Sequence, residues 1–150
     1  PYDTPVAGVD EAGRGPWAGP VVAAAVILNP LNIPDGLNDS KQLSATKRET
    51  LYAQIIESAE VGIGIVEAPE IDSINILQAT FKAMHIAVAA LQRTPATVLV
   101  DGNRLPKWEY RSHAIIGGDG MSISIAAASI VAKVTRDRIM CDLAARYPQY

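Results

Sequence analysis

The sequence predicts an α/β protein built on a mixed sheet. Three observations point there: short apolar strands precede the long helices, further strand-like runs alternate with helical stretches, and an alanine-rich helix closes the chain. Residues 6–10 read as a short buried strand, ended by the glycine-rich run Gly13-Arg14-Gly15-Pro16. The uninterrupted apolar run 21–28 returns as a second strand, giving a hairpin. A loop rich in Asn, Pro and Asp follows. Leu51, Ile55 and Ile56 then recur at helical spacing within 44–58, with Thr46 and Glu49 as a capping box.

Residues 61–66 alternate glycine with β-branched residues and predict a strand with one bare face, suited to close packing. Residues 76–91 are mostly good helix formers, and Leu77, Phe81, Met84, Val88 and Leu91 form one stripe. Strands are expected at 97–101 and 112–116. A long helix follows over 122–147, its first half rich in alanine and serine that permit close approach to the sheet.

The 150 residues are 49% hydrophobic, enough for one core, so 1–150 is expected to be a single domain without repeats or linkers. A net charge of −3 with 19% charged residues gives no polybasic signature; positions matter more than the total. The lone Cys141 excludes an internal disulfide framework and any CxxC zinc site. No charge-free run reaches membrane-spanning length and the N-terminus lacks a signal pattern, so a cytoplasmic protein without membrane attachment is expected.

Four acids fall where strands are expected to stop: Asp10 and Glu11 after the first, Asp101 after the fourth, and Asp119 after Gly117-Gly118. Carboxylates gathered from distant segments repel one another unless a cation or proton compensates. All-oxygen donors suit Mg2+ or Mn2+, and neither His85 nor His113 has a partner at zinc spacing. Strand alternation sends Asp10 and Glu11 to opposite faces, so both reach one site only if the chain turns at Glu11. Read singly, each acid is equally a turn former or a helix cap. The residues alone leave a metal site and separate local roles both open.

Asp10-Glu11-Ala12-Gly13-Arg14-Gly15-Pro16 resembles the opening motif of the ribonuclease HII family. Asn38-Asp39-Ser40-Lys41-Gln42-Leu43-Ser44, Val100-Asp101-Gly102-Asn103, and Gly118-Asp119 with the helix 125–137 resemble its further blocks, in family order and over nearly the whole chain. The resemblance implies a ribonuclease H-like fold: a five-stranded mixed sheet, its first three strands antiparallel, flanked by helices. It implies Asp10, Glu11, Asp101 and Asp119 as the catalytic metal ligands for two divalent ions, Mg2+ or Mn2+, with Asp10 bridging. It also implies Gly13, Arg14 and Gly15 as the motif that reads the RNA–DNA junction. Asp137 matches a further family acid, or serves as the salt-bridge partner of a nearby Arg.

The implied reaction is hydrolysis of the RNA strand of RNA–DNA hybrids, and of single ribonucleotides in duplex DNA, leaving 5′-phosphate and 3′-hydroxyl ends. A phosphodiester is anionic, its attacking water weak and its leaving alkoxide basic, which is why paired divalent ions suit it. Discrimination from DNA needs a group that senses the 2′-hydroxyl. Gly13 and Gly15 admit the sugar to their peptide groups, while Arg14 engages a phosphate. Ser40, Lys41 and Lys133 are further phosphate-contact candidates, a monomer is expected, and the alternatives are a non-catalytic hybrid-binding module or a Mg-dependent α/β phosphatase. Tyr147-Pro148-Gln149-Tyr150 resembles the start of a family segment that continues to a tyrosine stacking under the junction sugar. On that reading the C-terminal segment is missing, and the chain is expected to fold and bind metal but to cut single-ribonucleotide substrates poorly until extended.

Overall fold

The computed structural model describes residues 2–14, 18–37 and 43–148. Five strands form one mixed sheet in the order β3-β2-β1-β4-β5. β1 (Val6–Ala12), β2 (Val21–Ile27) and β3 (Glu60–Val66) pair antiparallel, whereas β4 (Thr97–Asp101) and β5 (Ser112–Ile115) join parallel, beginning beside β1. This is the predicted mixed sheet with its three antiparallel strands first.

β2 lies at the middle of the antiparallel half and all seven of its residues are buried, which explains why its sequence, VVAAAVI, has no polar alternation. α3 (Ile76–Ala89) covers one face, packing with Ala7, Val9, Ala23, Ala25, Val98 and Val100. α1 (Ala45–Ser58) and α5 (Ile123–Arg146) cover the other, where Leu51, Ile55 and the alanines of α5 meet Ala24 and Val26. The bare face expected on β3 is used by α3. A Cβ at Gly62 would collide with the carbonyl of Ala87, and one at Gly64 with that of Ala83.

Several local expectations change. Ser44, not Thr46, caps α1, its hydroxyl accepting from the Lys47 amide at 3.2 Å, and Glu49 instead meets Arg138 at 2.8 Å. Ser44 stands one position before the helix, where a cap must be; Thr46 is already inside it. Ile56 points outward. The face of α3 that meets the sheet is Ala79, Ala83, Met84, Ala87 and Val88; Leu77 and Phe81 lie only half-buried at its edge. Before it comes an unpredicted helix, α2 (Ala68–Ile74), and Asn75 at φ +74° ends α2 while its side chain caps α3 through the Gln78 amide. The long terminal helix is preceded by a separate turn of helix, α4 (Gly118–Met121).

Candidate active site

Side-chain alternation along the strands decides where the acids go. Ala7 and Val9 belong to the core under α3, so Glu11 continues on that face; Gly8 abuts the backbone of Ser124 and Ile125, so Asp10 continues on the α5 face. On β4, Val98 and Val100 face α3, which leaves Asp101 on the same face as Asp10. The β1–β4 ladder ends at Val9 opposite Val100, so Asp10 and Asp101 follow side by side at the edge.

The expected turn at Glu11 does not occur. β1 runs on to Ala12, with Glu11 paired to Ala23, so Glu11 is a strand residue and not a strand end. Its carboxyl nevertheless shares the charge environment of Asp10 and Asp101. It opens into a cleft of about 440 Å3 lined also by Arg14, Phe81, Asp101, Asn103 and Arg104. Arg14 Nη1 stands 3.7 Å from Glu11 Oε1.

Burial dominates the electrostatics. Asp10 is only 7% exposed, and desolvation, reinforced by the charges of Glu11 and Asp101, pushes its carboxyl up from the usual range to about 8. Burial also raises Glu11, with Asp101 adding to the effect, while hydrogen bonding with Asp10 and the charge of Arg14 pull it back. Asp101 is oriented from behind: its Oδ1 accepts a 2.7 Å hydrogen bond from the Gly118 amide. Asp119, the next residue, lies half-buried in α4 and not at a strand end. The structure thus joins Asp10, Glu11 and Asp101 electrostatically, and Asp119 follows directly on Gly118, whose amide holds Asp101.

Among the described residues no three acidic, histidine or cysteine side chains are already drawn into a metal cage. The donors still fit a hard divalent ion. Glu11 Oε2 is buried without a hydrogen-bond partner among the described residues, and three carboxylates share one desolvated edge, an arrangement that a cation would satisfy.

Gly13 has φ +102°, and a Cβ there would strike Arg136 Nε and the Pro20 carbonyl, so the position accepts only glycine. Arg14 beside it is about half exposed. Gly15, Ser40 and Lys41 lie outside the described residues. Lys133 is exposed on α5 and pairs with Asp137 at 3.0 Å; it is not among the cleft's lining residues, and Asp137's partner is this lysine and not an arginine. Arg136 has a role that its sequence neighbourhood does not announce. Its Nε donates to the Pro20 carbonyl at 3.0 Å while its side chain underlies Gly13, bracing both stems of the glycine-rich loop. A contact across 116 positions leaves no local signal, although its place in the helix 125–137 could have drawn attention.

A family model described as ribonuclease HII matches residues 7–150. The chain belongs to the ribonuclease HII family. A ribonuclease HII of Rhizorhabdus wittichii is 59% identical over 149 residues, covering 99% of this chain and 74% of the relative. A ribonuclease HII of Parvibaculum lavamentivorans is also 59% identical, over 97% of this chain, yet the match spans only 54% of that relative's length. Against the solved structure of ribonuclease H2 from Pyrococcus horikoshii, the fold superposes with a TM-score of 0.82 at 33% identity, over 95% of this chain and 76% of the other. The fold is ribonuclease H-like, as the motif resemblance implied. No helix among the described residues is long and apolar enough to cross a membrane.

Proposed function

We propose that the chain is a metal-dependent endoribonuclease that hydrolyses the RNA strand of RNA–DNA hybrids and single ribonucleotides embedded in duplex DNA. The observation that carries this reading is the desolvated meeting of Asp10, Glu11 and Asp101 at one sheet edge, with a buried Glu11 oxygen left unsatisfied. Asp10, Glu11, Asp101 and Asp119 are the residues that would hold Mg2+ or Mn2+. Two such ions, when bound, supply Lewis acidity for the attacking water and charge neutralisation for the leaving 3′ oxygen, giving 5′-phosphate and 3′-hydroxyl ends.

The protein's own part is to prepare that edge. The sheet fixes Asp10 and Glu11, the Gly118 amide fixes the rotamer of Asp101, and burial excludes water that would screen the carboxylates. Gly13 and Gly15 bring peptide groups to the ribose, where the 2′-hydroxyl distinguishes RNA, and Arg14 meets a phosphate. Ser40, Lys41 and Lys133 are proposed as outlying phosphate contacts. We read residues 1–150 as one catalytic domain, monomeric, cytoplasmic and without membrane attachment.

The test is cleavage of a duplex containing one ribonucleotide, with and without Mg2+ or Mn2+. Cutting at the ribonucleotide only with metal is expected. Metal-dependent binding without cutting would mark a recognition module, and inertness toward the duplex would remove the nuclease reading.

A further inference from the structure

Beside the acidic cleft lies a second groove of about 490 Å3, between α3 and the segment joining β4 to β5. Phe81 forms part of the wall of both. Lys82, His85, Pro106, Lys107 and Trp108 complete much of its wall. The wall is braced: Trp108 Nε1 donates to Ser112 Oγ at 2.8 Å, and its ring meets Tyr110 edge-on at 5.2 Å. Lys82 is matched by Glu70, and His85 Nε2 lies 3.1 Å from Glu109 Oε1. Arg104, at the shared cleft, and Lys107, three residues on, have no ion pair among the described residues. In a chain of net charge −3, Arg104 and Lys107 place two unmatched cations beside the acidic site, where a polyanion bound there would meet them.

We propose that this groove is a backbone-tracking surface, in which Arg104 and then Lys107 engage successive phosphates of the nucleic acid strand leaving the acidic cleft. The inference rests on the nuclease reading above and adds the path of the substrate. A phosphodiester chain bound at the acids must leave the cleft, and carboxylates repel its neighbouring phosphates; the adjoining route supplies opposite charge. The rigid aromatic and proline wall suits a sugar-phosphate chain and offers no base-reading pattern, so the contact positions the strand without reading sequence.

The test uses the whole chain with Arg104→Gln, Lys107→Gln and the double variant, and with Lys47→Gln on α1, across the sheet, as control. Duplex containing one ribonucleotide is bound in EDTA at several salt concentrations and cut in Mg2+. The double variant is expected to bind roughly tenfold more weakly and to lower the slope of log affinity against log salt by about two, with each single variant near one. KM should rise with kcat within about twofold, because the interaction is uniform binding, and Lys47→Gln should behave as wild type. An unchanged salt slope in the double variant, or a fall in kcat at constant KM, would overturn the groove assignment. If wild-type protein binds the duplex normally but never cuts it, the nuclease reading fails while the affinity and salt-slope comparison still decides the groove.

Discussion

The backbone amide of Gly118 donates a 2.7 Å hydrogen bond to Oδ1 of Asp101, joining the start of α4 to the end of β4. This bond fixes one carboxylate oxygen from behind. Replacing Asp101 with Asn keeps the shape but removes a full charge from the proposed ion site. Cutting is expected to fall by roughly a hundredfold or more while duplex binding in EDTA survives. Undiminished turnover at saturating Mg2+ would take Asp101 out of the site.

Arg14 is half exposed and its nearest charge, Glu11, is 3.7 Å away, so it has little to lose in folding. Arg14→Ala is expected to raise KM about tenfold, the worth of one charge-assisted phosphate contact. Its melting temperature should stay near that of wild type. A large fall in stability with normal KM would make Arg14 a structural residue.

Asp10 ties stability to pH. Its folded carboxyl titrates at about 8 against an ordinary 3.8, so between those values the folded state holds a proton that the unfolded state has released. Stability is therefore greatest below about pH 4 as far as this group is concerned, and is lost as pH rises through about 8. Melting in EDTA should shift to lower temperature from pH 5 to pH 8.5, roughly the interval over which the folded carboxyl keeps a proton that the unfolded chain has released. Excess Mn2+ should recover the loss at the alkaline end, because an ion bound to the folded form stabilises it. A melting temperature independent of pH in EDTA would contradict the burial of this carboxyl.

The contact of α3 with β3 offers a test of packing separate from chemistry. Gly64→Ala drives a methyl group into the Ala83 carbonyl and should cost about 1–3 kcal/mol. Because β3 is the edge strand farthest from β5 and from the Asp101 cleft, folded protein should retain its kcat. Loss of kcat at full folding would show that α3 transmits strain to the cleft.

The strands and long helices were readable because their apolar runs and periodicities survive burial: VVAAAVI could only lie in the centre of a covered sheet. α2 was not readable, since its seven residues contain no buried position and Glu67 provides no side-chain cap. Asp101 was legible at the end of its strand, whereas Asp10 lies inside β1, paired with Ala24, because the strand runs on past the point where its apolar run stops. Glu11 was recognised as a site residue for a reason that failed, because β1 does not turn there; its carboxyl meets the others at the sheet edge despite pointing to the opposite face. Arg136 was invisible because its role depends on a partner at the far end of the chain.

The uneven length of the ladders on either side of β1 has a mechanical consequence. β1 stays bonded to β2 as far as Ala12, but it parts from β4 after Val9, while Asp101 remains paired with Ile115 of β5. The two central aspartates therefore sit on opposite prongs of a fork, one clamped into a three-stranded plate and the other at the tip of a two-stranded one. Adjustment to the proposed ions would fall on the β4–β5 prong, whose displacement breaks no bond to β1 beyond Val100. On the proposed metal-ion reading, the room to accommodate an ion would lie in the spacing of backbone hydrogen bonds as much as in the acids themselves.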